Sequence, residues 1–140
     1  MELTEHRPML VSFRALAFHG ENKGQANGTD EWALELEQEI NLGLAVPIVP
    51  GAPLQAVVKI DLGAKSTKNS SPPDAAEFNA VYEAKFNYPS GATEEVIVPL
   101  FEQEPYQYML AAQAFPLAMT HFRRELQSMG FDAHSLPLGL

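Results

Sequence analysis

Apolar and polar residues alternate with period two along residues 9–88 and then recur at helical spacing along residues 105–129. From Met9 to Phe18, Val11, Phe13, Ala15 and Ala17 alternate with Ser12, Arg14, Leu16 and Phe18. Both sets are partly apolar, which predicts a strand covered on both sides or lying at an interface. Gly20 to Asp30 is polar, with glycines at 20, 24 and 28, and reads as a loop. The next strand alternates most clearly: Trp32, Leu34, Leu36, Ile40, Leu42 and Leu44 share one face, and Glu35, Glu37, Glu39 and Asn41 the other. Prolines at 47, 50 and 53 make a stiff connection. A third strand spans Leu54 to Leu62, with Ala56, Val58 and Ile60 on one side and Val57, Lys59 and Asp61 on the other. Gly63–Asp74 reads as a solvated loop holding the basic cluster Lys65 and Lys68.

A fourth strand covers Ala76 to Tyr88, with Phe78, Ala80, Tyr82, Ala84, Phe86 and Tyr88 on one face. Pro89-Ser90-Gly91 is turn chemistry. Glu95 to Phe101 is expected to return as a short fifth strand at an edge, since Pro99 has no N–H to donate. From Pro105 to Met129, Tyr108, Leu110, Ala111, Phe115, Ala118, Met119, Phe122, Leu126 and Met129 recur at helical spacing. Pro105 suits a first helical turn, Gly130 a stop, and Pro116 is expected to kink or split the helix. The tail from Asp132 to Leu140 reads as extended. Strands followed by a helix define an α+β fold: an antiparallel four- to five-stranded sheet with a long helix packed on one face. We read residues 1–140 as a single domain, a length that supports one core.

Composition narrows the function. Eighteen acidic against nine basic residues give a net charge of −9, which disfavours phosphate backbones and anionic lipid and suits a basic partner. The chain has no cysteine, which excludes disulfides, thiolate metal sites and cysteine nucleophiles. No apolar run approaches the ~20 residues of a membrane helix. Met1-Glu2-Leu3-Thr4-Glu5 lacks the basic-then-apolar character of a secretory signal, so a cytoplasmic location is expected.

Catalytic constellations are absent from the sequence. His6, His19, His121 and His134 stand at no metal-ligand spacing and read as surface or partly buried imidazoles. No nucleophile elbow or phosphate loop is present, so no metal, cofactor or enzymatic activity is expected. Adjacent members of the row Glu35, Glu37 and Glu39 lie roughly 6–7 Å apart by strand rise, within the carboxyl separations of glycosidases. Those enzymes draw their carboxyls from different elements across a cleft. The row therefore reads as a solvated strand face or as a docking patch for a basic partner. The aromatic set Phe78, Tyr82 and Phe86, with Met119 and Phe122 on the helix, reads as core, part of which would line a groove for apolar peptide. Arg123 and Arg124 point about 100° apart on a helix. One is expected to pair locally, or across a subunit interface.

The stretch from Val57 to Pro137 resembles the SecB-type export chaperones. Val58-Lys59-Ile60-Asp61-Leu62 resembles their V-K-L-D-L strand, Phe78 to Phe86 the long strand that follows, and Glu94 to Phe101 the next strand. Phe122-Arg123-Arg124-Glu125-Leu126 resembles their helix motif, and Gly130-Phe131 with Ser135-Leu136-Pro137 the G-x-F-P…L-x-P segment. The resemblance implies a four-stranded antiparallel sheet on a long helix and assembly as a dimer of dimers. It also implies nucleotide-independent binding of unfolded polypeptide in apolar grooves, and an acidic sheet face that docks a basic segment of the translocation ATPase. Three departures stand out. The sequence ends at Leu140, where the family continues into a second helix bordering the groove; there is room for an extra strand at Trp32–Leu44; and the Lys65–Pro73 loop is long. These point to a divergent relative, of the kind dedicated to a toxin–antitoxin pair or reused by phages and plasmids.

The expected function is that of a holdase for unfolded or non-native polypeptide, for export or for a dedicated client, working as a homo-oligomer (dimer or tetramer). Apolar burial and strand-edge pairing would hold the client. The alternative is a non-enzymatic structural or assembly subunit, of a phage particle or secretion apparatus, that reuses the fold.

Overall fold

The computed structural model describes residues 7–22, 32–68, 76–131 and 136–140, side chains at 32–34 and 66–68 excepted. Most of the two expected loops, the side chains of Trp32 and Leu34, and His6 and His134 lie outside the described residues. The elements are β1 (Met9–Asn22), β2 (Trp32–Ala45), β3 (Gln55–Lys68), β4 (Ala76–Asn87), α1 (Glu94–Phe101) and α2 (Glu104–Ser128). All strand pairs are antiparallel, in the order β1-β4-β3-β2. β2, β3 and β4 form a meander, and β1 joins the far side of β4, a Greek-key order.

The two edges of this sheet are built differently. β2 pairs with β3 in unbroken register from Trp32 opposite Lys68 to Ala45 opposite Gln55. β1 slips against β4 twice, between Leu10 and Ser12 and between Ala15 and Ala17, leaving Val11 and Leu16 as extra residues. Each bulge shifts the inward parity by one. Leu10 therefore faces in, then Phe13, then Phe18 and Gly20, opposite Phe86, Ala84, Ala80 and Phe78. This explains why the sequence shows apolar residues on both faces of β1: the alternation is interrupted rather than two-sided.

Strands β1 and β3 both extend beyond their expected ends. β3 continues through Gly63, because Ala64 is still buried and Lys65 still exposed. Gly20 belongs to β1 and not to a loop. A Cβ there would stand 2.9 Å from Met129 Sδ and from the rings of Phe18 and Phe78, so only glycine lets the end of α2 close onto β1.

The expected fifth strand is helix α1. Its run of Val96, Ile97, Val98, Leu100 and Phe101 is apolar at every step, so period alone cannot decide between strand and helix. The start signals decide it. Thr93 takes the extended N-cap conformation, and Glu94 and Glu95 occupy the first turn, where carboxylates meet the positive end of the helix dipole. The Thr93 carbonyl accepts from the amides of Val96 and Ile97, both at 3.1 Å. Ile97 is then fully buried and Val98 points out. With this segment helical, Trp32–Ala45 is not an extra strand but one of the four.

α2 runs through Pro116 as one helix, so of the two expected outcomes the split does not occur. Its inner stripe of Tyr106, Leu110, Phe115, Met119, Phe122 and Leu126 packs on Val58, Ile60, Phe78, Tyr82 and Phe86 of the sheet, and all of these are at most 1% exposed. Each such large side chain contributes roughly 1.5–3 kcal/mol by burial.

Candidate client-binding surface

α2 crosses β1, β3 and β4. The inner face of edge strand β2 reaches past this cover, so Leu36, Ile40, Leu42 and Leu44 touch the core but are only half-buried. α1 closes the other side of the gap with Val98 and Phe101, and the Gln107 side chain ties the two helices by donating to the Phe101 carbonyl. The result is a trough of two adjoining depressions, about 460 Å³ and 560 Å³, which share Ile40, Leu42 and Gln107; its β2 floor is apolar at Ile40, Leu42 and Leu44, while Asn41, Glu102 and Glu104 also line it. Tyr108 and Ala111 wall the second depression. Tyr108 is 56% exposed, and its hydroxyl donates to the Leu140 carbonyl at 3.1 Å. Among the described residues no strand pairs with the outer edge of β2, which runs beside the trough.

A second cavity, about 360 Å³, lies where β1 meets α2, between Phe13, Ala15, Leu117 and Thr120 with Arg14 and Arg124 at hand. There Tyr82 shares a 2.8 Å hydrogen bond with His121 Nδ1. Burial, reinforced by the nearby Glu125 carboxylate, raises the Tyr82 phenol well above its usual range, so it stays protonated. On the far side of the imidazole, Nε2 faces Glu125 Oε1 at 3.6 Å.

The structure separates the expected site residues into three groups. Phe78, Tyr82, Phe86, Met119 and Phe122, expected to line a groove, are core instead, at most 1% exposed. Phe78, Phe86, Met119 and Phe122 line none of the depressions described above, whereas Tyr82 borders the cavity between β1 and α2. Accessible apolar surface lies between β1 and α2 and, one strand outward, on β2 and α1, where the even-numbered leucines of β2 were its signal. Glu35, Glu37 and Glu39 are exposed on the outer face of the sheet. Glu35 stands opposite Lys65, Glu37 opposite Gly63, and Glu39 opposite Asp61; the last pairing adds a fourth carboxylate to the row. Arg124 is exposed and makes no ion pair with a described residue, whereas Arg123 is half-buried. His19 is exposed on β1, and among the described residues no three His, Asp or Glu side chains gather as a metal site. No described helix is long and apolar enough to cross a membrane.

This architecture, an antiparallel four-stranded sheet followed by a long helix packed on one face, is the SecB-like fold. Among solved structures it matches the SecB-like chaperone Rv1957 of Mycobacterium tuberculosis, in complex with a ChAD peptide from the HigA1 antitoxin (Rv1956). The TM-score is 0.68 at 15% sequence identity, over 96% of this chain and 92% of that one. No protein-family model and no curated protein matches the chain by sequence.

Proposed function

We propose that this protein is a non-enzymatic chaperone that holds extended, non-native polypeptide in the trough between β2, α1 and α2. The observation that carries this reading is the pairing of an uninterrupted strand edge with a half-open apolar floor on the same strand. A segment added to β2 would satisfy its own backbone along that edge and drop alternate side chains into the trough. Edges of this length are normally blunted; β1 carries bulges and the first half of β2 carries Glu35, Glu37 and Glu39, but the second half of β2, from Ile40 to Ala45, has neither bulge nor charge. Holding of this kind makes and breaks no covalent bond and calls for no nucleotide. The matched mycobacterial chaperone is seen with an antitoxin peptide, which supports a dedicated client here as well. Glu35, Glu37, Glu39 and Asp61 would dock a basic segment of a partner. Leu117, 41% exposed, and Arg124 would serve a homo-oligomer interface. We place the protein in the cytoplasm.

The test is suppression of aggregation. A slow-refolding unrelated protein is diluted from denaturant with and without this chain, without nucleotide, and again in its folded form. Suppression near one oligomer per client, with no binding to the folded form, is the expected result. No suppression at large molar excess would overturn the general holdase, and a single stoichiometric partner from the native source would then favour an assembly subunit.

A further inference from the structure

The connection between β2 and β3 is hard to account for in an isolated molecule. Val46 is 51% exposed, Ile48 98% and Val49 67%. These side chains do not collapse onto their own body. Pro47 and Pro50 fix the backbone on either side of Ile48 and Val49. The Ala52 amide donates to the Val49 carbonyl at 3.2 Å, and Gly51 has φ 86°. Pro50-Gly51 is thus the centre of a type II turn, and Ile48 and Val49 stand at a braced bend that leads into it. Single exposed apolar residues are ordinary, but three close together on a stiff arm are not.

The arm begins two residues after Leu44, which lines the trough. No charged residue occurs between Glu39 and Lys59, so the neutral tract includes the trough's β2 floor and the arm together. Two copies of a chain carrying −9 repel over most of their surfaces. Along this tract they meet without like charges in contact. We propose that the arm Val46–Pro50 of one copy occupies the trough of a second copy, reciprocally, as an internal substitute for client. The inference rests on the reading of the trough as a site for extended apolar segments. An exchange about a two-fold axis closes on itself, so it gives dimers and not fibres. Five residues make a contact well short of the ~800 Å² per partner of a standard interface. The exchange is therefore weak, grows with concentration, and yields to client.

The probe is a synthetic peptide of residues 45–54, titrated into the full chain alongside an unrelated extended apolar peptide as client mimic. Backbone amide NMR and displacement of the labelled mimic are the readouts. The 45–54 peptide should shift Ile40, Leu42, Leu44 and Phe101 and displace the mimic. The same peptide with Ile48→Asp should bind about tenfold or more weakly, the loss expected for one buried isoleucine. In the full chain, Ile48→Asp leaves the fold intact because the side chain touches almost nothing, and it should abolish the rise of sedimentation mass with concentration. The proposal fails alone if the mimic occupies the trough and the 45–54 peptide does not, or if the mass rise is absent or survives Ile48→Asp. If neither peptide shifts the trough, the trough reading itself falls.

Discussion

Leu42 is where the proposed function is most exposed to test. It sits on the inner face of β2, half-buried against the core, and lines both depressions of the trough. Leu42→Glu removes about half of a full leucine burial from the folded chain, on the order of 1 kcal/mol. Against a typical stability of ~5–15 kcal/mol the fold survives. In the complex the client completes the burial of that leucine, so the variant loses roughly another 1 kcal/mol there. It also leaves a carboxylate against apolar side chains, for about 1–3 kcal/mol more. Together these predict a client affinity about 30- to 700-fold weaker. Anisotropy of a labelled extended peptide reads the affinity, and urea denaturation checks the fold. Leu42→Met keeps volume and apolarity and should bind like the parent chain. An unchanged affinity for a folded Leu42→Glu variant would refute the trough as the client site.

Further outcomes follow from other parts of the structure. The Tyr88 and Tyr106 hydroxyls hydrogen-bond each other in the core. Tyr106→Phe should cost about 1–3 kcal/mol by orphaning the Tyr88 hydroxyl, and the double Tyr→Phe variant should recover most of it, read as denaturant midpoints. Burial raises the phenols of Tyr82, Tyr88 and Tyr106 above their ordinary value of 10.0. Their contribution to stability is complete below that pH and is lost as pH climbs past it, so thermal midpoints should be level at about pH 8 and fall by about pH 11. Arg124→Glu should lower the oligomer mass; an unchanged mass with unchanged folding removes Arg124 from the interface. Glu37→Lys with Glu39→Lys should abolish binding of a basic peptide, and parent binding should weaken with salt; equal binding by both chains would end the docking role.

The parts of the fold legible in the sequence are those where one local signal has no competitor. Strict alternation along β2, β3 and β4, and the helical recurrence from Tyr108 to Met129, placed four of the six elements to within a few residues at most ends, although Tyr108 is exposed and Tyr106 takes the buried place in the first turn. β1 was legible as a strand but not in its parity, because a bulge is defined only against a partner, here β4. α1 was misread because a short, wholly apolar run carries no period, and the signal that mattered lay just before it, in Thr93-Glu94-Glu95. The burial of the expected groove residues was illegible for a related reason. Phe78 and Leu42 look alike as inward residues of alternating strands. Which of them is covered depends on strand order and on where α2 crosses, and neither is written in the spacing. The acidic row needed only the strand's own parity, which puts Glu35, Glu37 and Glu39 together on the outer face.

The order of the strands also sets a timetable. Arg14 of β1 bonds Glu83 of β4 across 69 residues, and closing so long a loop is a slow, entropically costly step. At a synthesis rate of ~5–20 residues per second, β1 leaves the ribosome about 3–14 s before its partner exists. For that interval it is an apolar strand with nothing to pair with. Because its apolar positions change parity at Val11 and Leu16, no straight neighbour, its own kind included, can align them all on one face. The irregularity that obscures β1 in the sequence is thus matched to the register of one late-arriving partner, β4.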